Sequence, residues 1–350
     1  MRSACQAWTS ACWVRIEPPV TAADSPLDAA AQAAQQIEAG GLVAFPTETV
    51  YGLGADATND AAVANIFAAK GRPADHPLIV HVASAAQVSH FGASVPAFAS
   101  QLMAALWPGP LTVIVPRQPG VATAAAGGQA SIGLRCPAHP LALAFLNACL
   151  ARGVLGVAGP SANRFGRVSP TTAQHVRSEL GPDLLVLDGG PCAVGIESCI
   201  VDCTRGQPVL LRPGALTRAQ LEAACGQPVL DADALASSQA APRAPGTLAA
   251  HYAPNAKVRL MDAKAIQTAL DLLGADAAHI AVYARTIVRI RSSHVLYRRM
   301  PDDALATAQQ LFAVLRDFDS QAAKLIWIEA VPAAAEWDGV RDRLARAASA

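Results

Sequence analysis

Lys70 is the only lysine before residue 257 in a chain of 350 residues that carries four lysines and 23 arginines. A compact ammonium makes a point contact to a phosphate, where a guanidinium makes a planar, two-pronged one. Count alone decides little, but the neighbourhood is rich in phosphate-type groups. Lys70-Gly71-Arg72-Pro73 is followed by His76 and His81, and is preceded by Thr47-Glu48-Thr49 with Tyr51, Gly52 and Gly54. In Ser131-Ile132-Gly133-Leu134-Arg135, strand alternation puts Ser131, Gly133 and Arg135 on one face. Ser161-Ala162-Asn163, Ser169-Pro170-Thr171, Glu197-Ser198 and Arg212-Pro213-Gly214 add hydroxyls, an amide and another cation.

Each motif alone is weak: Ser-x-Asn is more often turn chemistry than catalysis, and an Arg or His in a strand is more often structural. Together they make a consistent set of cations and hydroxyls. No Ser-His-Asp pattern, HExxH or GxxxxGK[ST] accompanies them, so covalent catalysis and a Walker loop are not indicated. The set suits binding and orienting a polyanion, as phosphate-centred transfer requires. No metal-ligand set is evident. The eight cysteines form no CxxC pair, and Cys199 and Cys203 share a strand face as packing residues would.

The elements that must position these residues follow from capping and periodicity. Ser25-Pro26-Leu27-Asp28 opens a helix that runs to Gly40-Gly41, and Asn59-Asp60 opens a second that ends near Lys70. Further helices are expected over 95–106, 139–150, 171–180 and 217–224. Strands are expected over 42–45, 78–82, 111–115, 130–135, 154–158, 184–188, 198–202 and 208–212, with 46–54 as a loop. Without strict βα alternation, this reads as an α/β domain on a twisted open mixed sheet, spanning 25–230. Residues 231–255, rich in Ala, Ser, Pro and Gly, read as a linker. Beyond it, 256–350 alternates strands (258–261, 280–283, 325–329) with helices (263–273, 302–317), a second, smaller Rossmann-like α/β domain that lacks GxGxxG. Residues 1–24 read as an irregular N-terminal extension without a signal-peptide core.

Hydrophobic residues make up 52% of the chain and charged residues 15%, with 27 basic against 27 acidic side chains. Zero net charge gives no broad field for nucleic acid, so any tRNA contact would need a local patch. No apolar run reaches the roughly 18 residues of a membrane span, and a reduced, cytoplasmic setting is expected.

In combination, Pro46–Gly54, Lys70–Pro73 with His76–His81, Gly159–Asn163 with Ser169–Thr171, Glu197–Asp202 and Leu211–Gly214 resemble the YrdC/Sua5 family. The His251-Tyr252-Ala253-Pro254 linker and the extra domain resemble its longer, Sua5-type branch. The resemblance covers about residues 25–350 and implies a nucleotidyltransferase. Such an enzyme makes L-threonylcarbamoyladenylate and pyrophosphate from L-threonine, bicarbonate or CO2, and ATP with Mg²⁺. The product would pass to downstream transferase proteins that form N6-threonylcarbamoyladenosine in tRNA. Carried over by position, Thr49, His81, Arg135 and Ser198 would hold threonine. Lys70, Arg72, His76, Ser131, Ser161, Asn163, Ser169, Arg212 and Tyr252 would line ATP, with Lys70 and Arg72 as the catalytic cations. Tyr252 would make 231–255 a lid. The family's Glu-Ser-Thr-Ile reads Glu197-Ser198-Cys199-Ile200 here, so Cys199 stands where the family has a hydroxyl. Three other readings remain open at this stage: an RNA-binding module, a carbamoyl-adenylate enzyme with another acceptor, and an ATP sensor without turnover.

Overall fold

The computed structural model describes residues 25–232, 241–247 and 250–350. The extension expected over 1–24, and the linker residues 233–240 and 248–249, lie outside the described residues.

The larger domain is built on ten strands: β1 (Val43–Phe45), β2 (Gly52–Asp56), β3 (Ile79–His81), β4 (Leu111–Pro116), β5 (Ser131–Arg135), β6 (Val157–Ala158), β7 (Leu185–Val186), β8 (Cys199–Asp202), β9 (Val209–Arg212) and β10 (Leu230–Asp231). Their order is β10-β9-β8-β4-β5-β3-β6-β2-β1-β7. The sheet is mixed: β3 pairs parallel with β5 and antiparallel with β6, while β4 pairs antiparallel with β5 and parallel with β8. The middle strands are covered on both faces, which is why β4 reads as an uninterrupted apolar run with one buried threonine.

Local chemistry starts the helices as expected. Ser25 caps Pro26–Glu38 in a full capping box with Asp28, and its small face (Ala30, Ala33, Ala34, Ile37) packs on the helix Pro140–Ala151. Asn59 caps Asp60–Lys70.

The loop expected over 46–54 is corrected at its end, because Gly52–Asp56 forms β2 and pairs antiparallel with β1. Its glycines hid the strand. A Cβ at Gly52 would lie 2.9 Å from the Phe45 ring, and one at Gly54 would lie 2.8 Å from Val157. Phe45 and Val157 occupy the space that side chains of β2 would take.

The smaller domain carries β11 (Lys257–Met261), β12 (Ile280–Ala284), β13 (Leu296–Arg299) and β14 (Leu325–Glu329), all parallel, in the order β11-β14-β12-β13. The edge strand β13 (Leu-Tyr-Arg-Arg) escapes an apolar pattern search, as does the last helix, Asp338–Ala348. One hydrophobic cluster bridges the domains, joining Val50, Val168 and Ile196 to Tyr252, Phe312 and Leu344. No helix among the described residues is long and apolar enough to cross a membrane.

Candidate active site

His81 and Arg135 are register partners at the ends of the parallel strands β3 and β5, and both side chains line one cavity. Ligands of open α/β sheets bind outside the carboxyl ends of strands, and this cavity lies there. Of the predicted residues, Arg72, His81, Arg135, Ser161, Ser198, Arg212 and Tyr252 line it, drawn from six separate stretches of chain. Thr47, Val50, Glu197, His251 and the linker residues Pro245 and Gly246 complete the wall.

The other predicted residues stand behind or beside this wall. Thr49 is buried against Thr47, with their hydroxyls 2.8 Å apart. Lys70 is buried, and its ammonium donates to the Ser161 carbonyl at 2.6 Å and to the Asn163 carbonyl. It therefore fixes the turn that presents Ser161 to the cavity. Desolvation, then the neighbouring Arg72, pulls its pKa down to about 7. Asn163 donates to the Arg164 and Arg167 carbonyls, and Ser169 donates to Glu197. His76 sits edge-on to Phe165, with ring centroids 5.4 Å apart. Ser131 lines a neighbouring crevice, four residues (about 13 Å of strand) from Arg135. Cys199 points away from Ser198, into the core, where its thiol contacts the Leu216 carbonyl at 3.3 Å.

The cations are partly committed and partly free. Arg135 binds Glu48 at 2.8 Å, and the second Glu48 oxygen accepts from the Ala138 N–H at 3.0 Å. Arg212 donates to the Ser198 carbonyl at 3.0 Å, the Ser198 hydroxyl at 3.2 Å and the Pro245 carbonyl at 2.8 Å. Arg72 reaches the Pro77 carbonyl at 2.9 Å, while its Nε is buried without a partner. Nδ1 of His81, Nδ1 of His251 and the Tyr252 hydroxyl are also buried and unpartnered. Desolvation, with Arg135 beside it, holds His81 down at about 3. Burial likewise holds His251 down at about 4, so both imidazoles are neutral at pH 7. A dry wall of fixed cations, neutral imidazoles and hydroxyls can grip anionic groups and stabilise charge.

The residues not anticipated from sequence come from the C-terminal domain. Phe312 stacks on Tyr252 at 5.5 Å, and Arg343 reaches across the interface to Glu197 at 2.8 Å. No pattern in Asp338–Ala348 distinguishes Arg343 from its two arginine neighbours on that helix, Arg341 and Arg346. With Pro245, Gly246, His251 and Tyr252 in its wall, the cavity has ≈ 40 Å³ of free space, far below the roughly 300–1,000 Å³ typical of a ligand site.

Residues 35–214 match a family profile described as "Telomere recombination" (Sua5/YciO/YrdC), and residues 216–349 match one described as "Threonylcarbamoyl-AMP synthase, C-terminal domain". Threonylcarbamoyl-AMP synthase of Bacillus subtilis is 43% identical over 234 residues, spanning 66% of this chain and 66% of its own length, just short of two thirds. The protein of that name from Schizosaccharomyces pombe is 34% identical and spans 88% of this chain and 85% of its own. Among solved structures, Pyrococcus abyssi Sua5 complexed with L-threonine superposes with a TM-score of 0.80 at 35% identity, covering 91% of this chain and 94% of that one.

Proposed function

The chain belongs to the Sua5/YciO/YrdC family, and we propose that it condenses L-threonine, bicarbonate or CO2, and ATP into L-threonylcarbamoyladenylate and pyrophosphate. The observation that carries this reading is the convergence of His81, Arg135, Ser198, Arg72 and Arg212 on one desolvated hollow. It pairs a carboxylate-type fork with separate phosphate-type cations.

Arg135, oriented by Glu48 through one arm of its guanidinium, is the natural two-pronged partner of the threonine carboxylate. Thr49, through Thr47, supports the same end. Neutral His81 offers a polar atom without competing for a proton. Arg72 and Arg212 face the phosphates, and Lys70 holds the Ser161–Asn163 turn against them. The threonine amine, once it has lost its ammonium proton to solvent, adds to CO2 and releases a second proton (from bicarbonate, water leaves instead), and the carbamate oxygen attacks the α-phosphorus in line. A P–O bond forms, the bond to the pyrophosphate oxygen breaks, and pyrophosphate leaves with its electron pair. The carbamate is already an anionic nucleophile, so the step requires no protein base.

Magnesium travels with ATP. Among the described residues no three His, Cys, Asp or Glu side chains gather into a metal cluster, and the cavity carboxylate Glu197 is engaged by Ser169 and Arg343. Phosphate oxygens and water would then supply most of its ligands. The nucleotide must displace the 245–246 segment, which frees the Arg212 arm now spent on Pro245, while Tyr252 stays anchored on Phe312. Reclosure would shield the short-lived carbamate from water. The adenylate then serves tRNA modification by cytoplasmic transferases, where ATP and tRNA are at hand.

Purified protein should release pyrophosphate from ATP only when threonine and bicarbonate are both present, with threonylcarbamoyl-AMP detected by mass. Pyrophosphate release indifferent to threonine would refute the proposal.

A further inference from the structure

One side chain of the C-terminal domain is fully buried in the wall of the catalytic domain. Arg343 donates from Nε to Glu197 Oε2 at 2.8 Å, from Nη2 to the Glu197 carbonyl at 3.1 Å, and from Nη1 to the Pro213 carbonyl at 2.9 Å and Asp342 at 2.7 Å. The other Glu197 oxygen accepts from Ser169, so both oxygens of the one cavity-lining carboxylate are taken. Arg212, next in the chain to Pro213 and bonded to Ser198, the neighbour of Glu197, spends its N–H groups on Ser198 and Pro245 and none on Glu197.

The reach of Arg343 is set by backbone contact. A Cβ on Gly339 would lie 2.4 Å from the Gly214 carbonyl, and one on Gly195 would lie 2.4 Å from the backbone of Gln309. Helices Ala304–Ser320 and Asp338–Ala348 thus seat directly on the segments flanking Glu197 and Arg212, with no side chain between.

We propose that Arg343 is a positioning residue for the nucleotide half of the site: by capturing Glu197 it keeps that carboxylate from repelling the phosphates and from sequestering Arg212. This rests on the assignment of the cavity to ATP and threonine. An ionised Glu197 without Arg343 would turn to the nearest cation in a dry wall, and that cation is Arg212. When the nucleotide displaces Pro245, Arg212 would then already be occupied. Threonine carries no net charge as a zwitterion and binds at the Arg135 end, so its binding should feel the change least.

The test uses the full chain as wild type, R343M and R343M/E197Q, with titration by a non-hydrolysable ATP analogue and threonine-dependent kinetics. R343M should weaken analogue binding and raise the ATP KM by about tenfold or more, with the threonine KM within about threefold. R343M/E197Q should return ATP binding to within about threefold of wild type, since the stray carboxylate is gone. Unchanged ATP binding in R343M would overturn the proposal, as would a folded double variant that binds as weakly as R343M. If R343M does not fold, the double variant, which removes both charges together, decides alone. Loss of threonine dependence in the wild type would instead refute the proposed reaction and leave the binding comparison standing.

Discussion

In the four-stranded sheet, buried polar groups mostly find partners on the spot: Glu329 accepts from Arg285 at 3.0 Å and from the Thr286 N–H at 2.7 Å, and Ser292 donates to the Ala277 carbonyl at 2.6 Å. Tyr283 OH and Arg285 Nε are its exceptions. Around the cavity of the ten-stranded sheet the pattern reverses. Arg72, His81, His251 and Tyr252 each bury a polar atom with nothing to bond. Each such atom costs about 1–3 kcal/mol unless a ligand or water answers it. Among the described residues such atoms gather at the cavity, four around it against two on the small sheet, and the gathering marks where substrate belongs.

The contrast breaks first at Arg135. Arg135→Ala removes the carboxylate fork and strands Glu48, so kcat/KM for threonine should fall about a thousandfold, equivalent to about 4 kcal/mol of transition-state stabilisation. Near-normal threonine kinetics would detach His81 and Arg135 from the amino acid. Ile328→Ala, in the apolar interior of the small sheet, should instead lower unfolding stability by about 3 kcal/mol in a denaturant melt. Turnover per folded molecule should hold, and a specific loss of kcat would mean that the two sheets are not separate in function.

Acid sharpens the contrast further. His81 and His251 have folded pKa values of about 3 and about 4, below the unfolded value of 6.5. Between those values the unfolded chain binds protons that the folded chain refuses. The histidine contribution to stability is therefore full above pH 6.5 and declines as pH falls, by about 1.4 kcal/mol per pH unit for each histidine within its window. A melt series from pH 7 to 4 should show the slope, and His251→Gln should flatten it; an unchanged slope would acquit His251. The smallest effect belongs to the exposed pair of Arg298 and Asp317, 3.1 Å apart, where Arg298→Ala should shift stability by less than about 0.5 kcal/mol and leave activity untouched.

Helix starts were legible because their caps are local: Ser25 with Asp28, and Asn59, announce themselves within four residues. The cavity was legible because its residues are short polar and cationic types at strand ends. Lys70 drew notice for its rarity, but its ammonium lies one layer back, on the carbonyls of the turn bearing Ser161. A sequence names a cation without saying whether it points at a ligand or at backbone. Strand β2 was hidden by the glycines that let Phe45 cross it, and β13 by its arginines. Arg343 was out of reach because its meaning is created by a carboxylate 146 positions away in the chain.

The glycine contacts at positions 195 and 339 carry a consequence for how such a protein can change. A joint cushioned by side chains can be loosened one methyl group at a time, but bare main chain on bare main chain offers no graded adjustment. Drift at either glycine would act as a wedge that unseats the neighbour domain outright, so the two halves must be inherited as a matched pair.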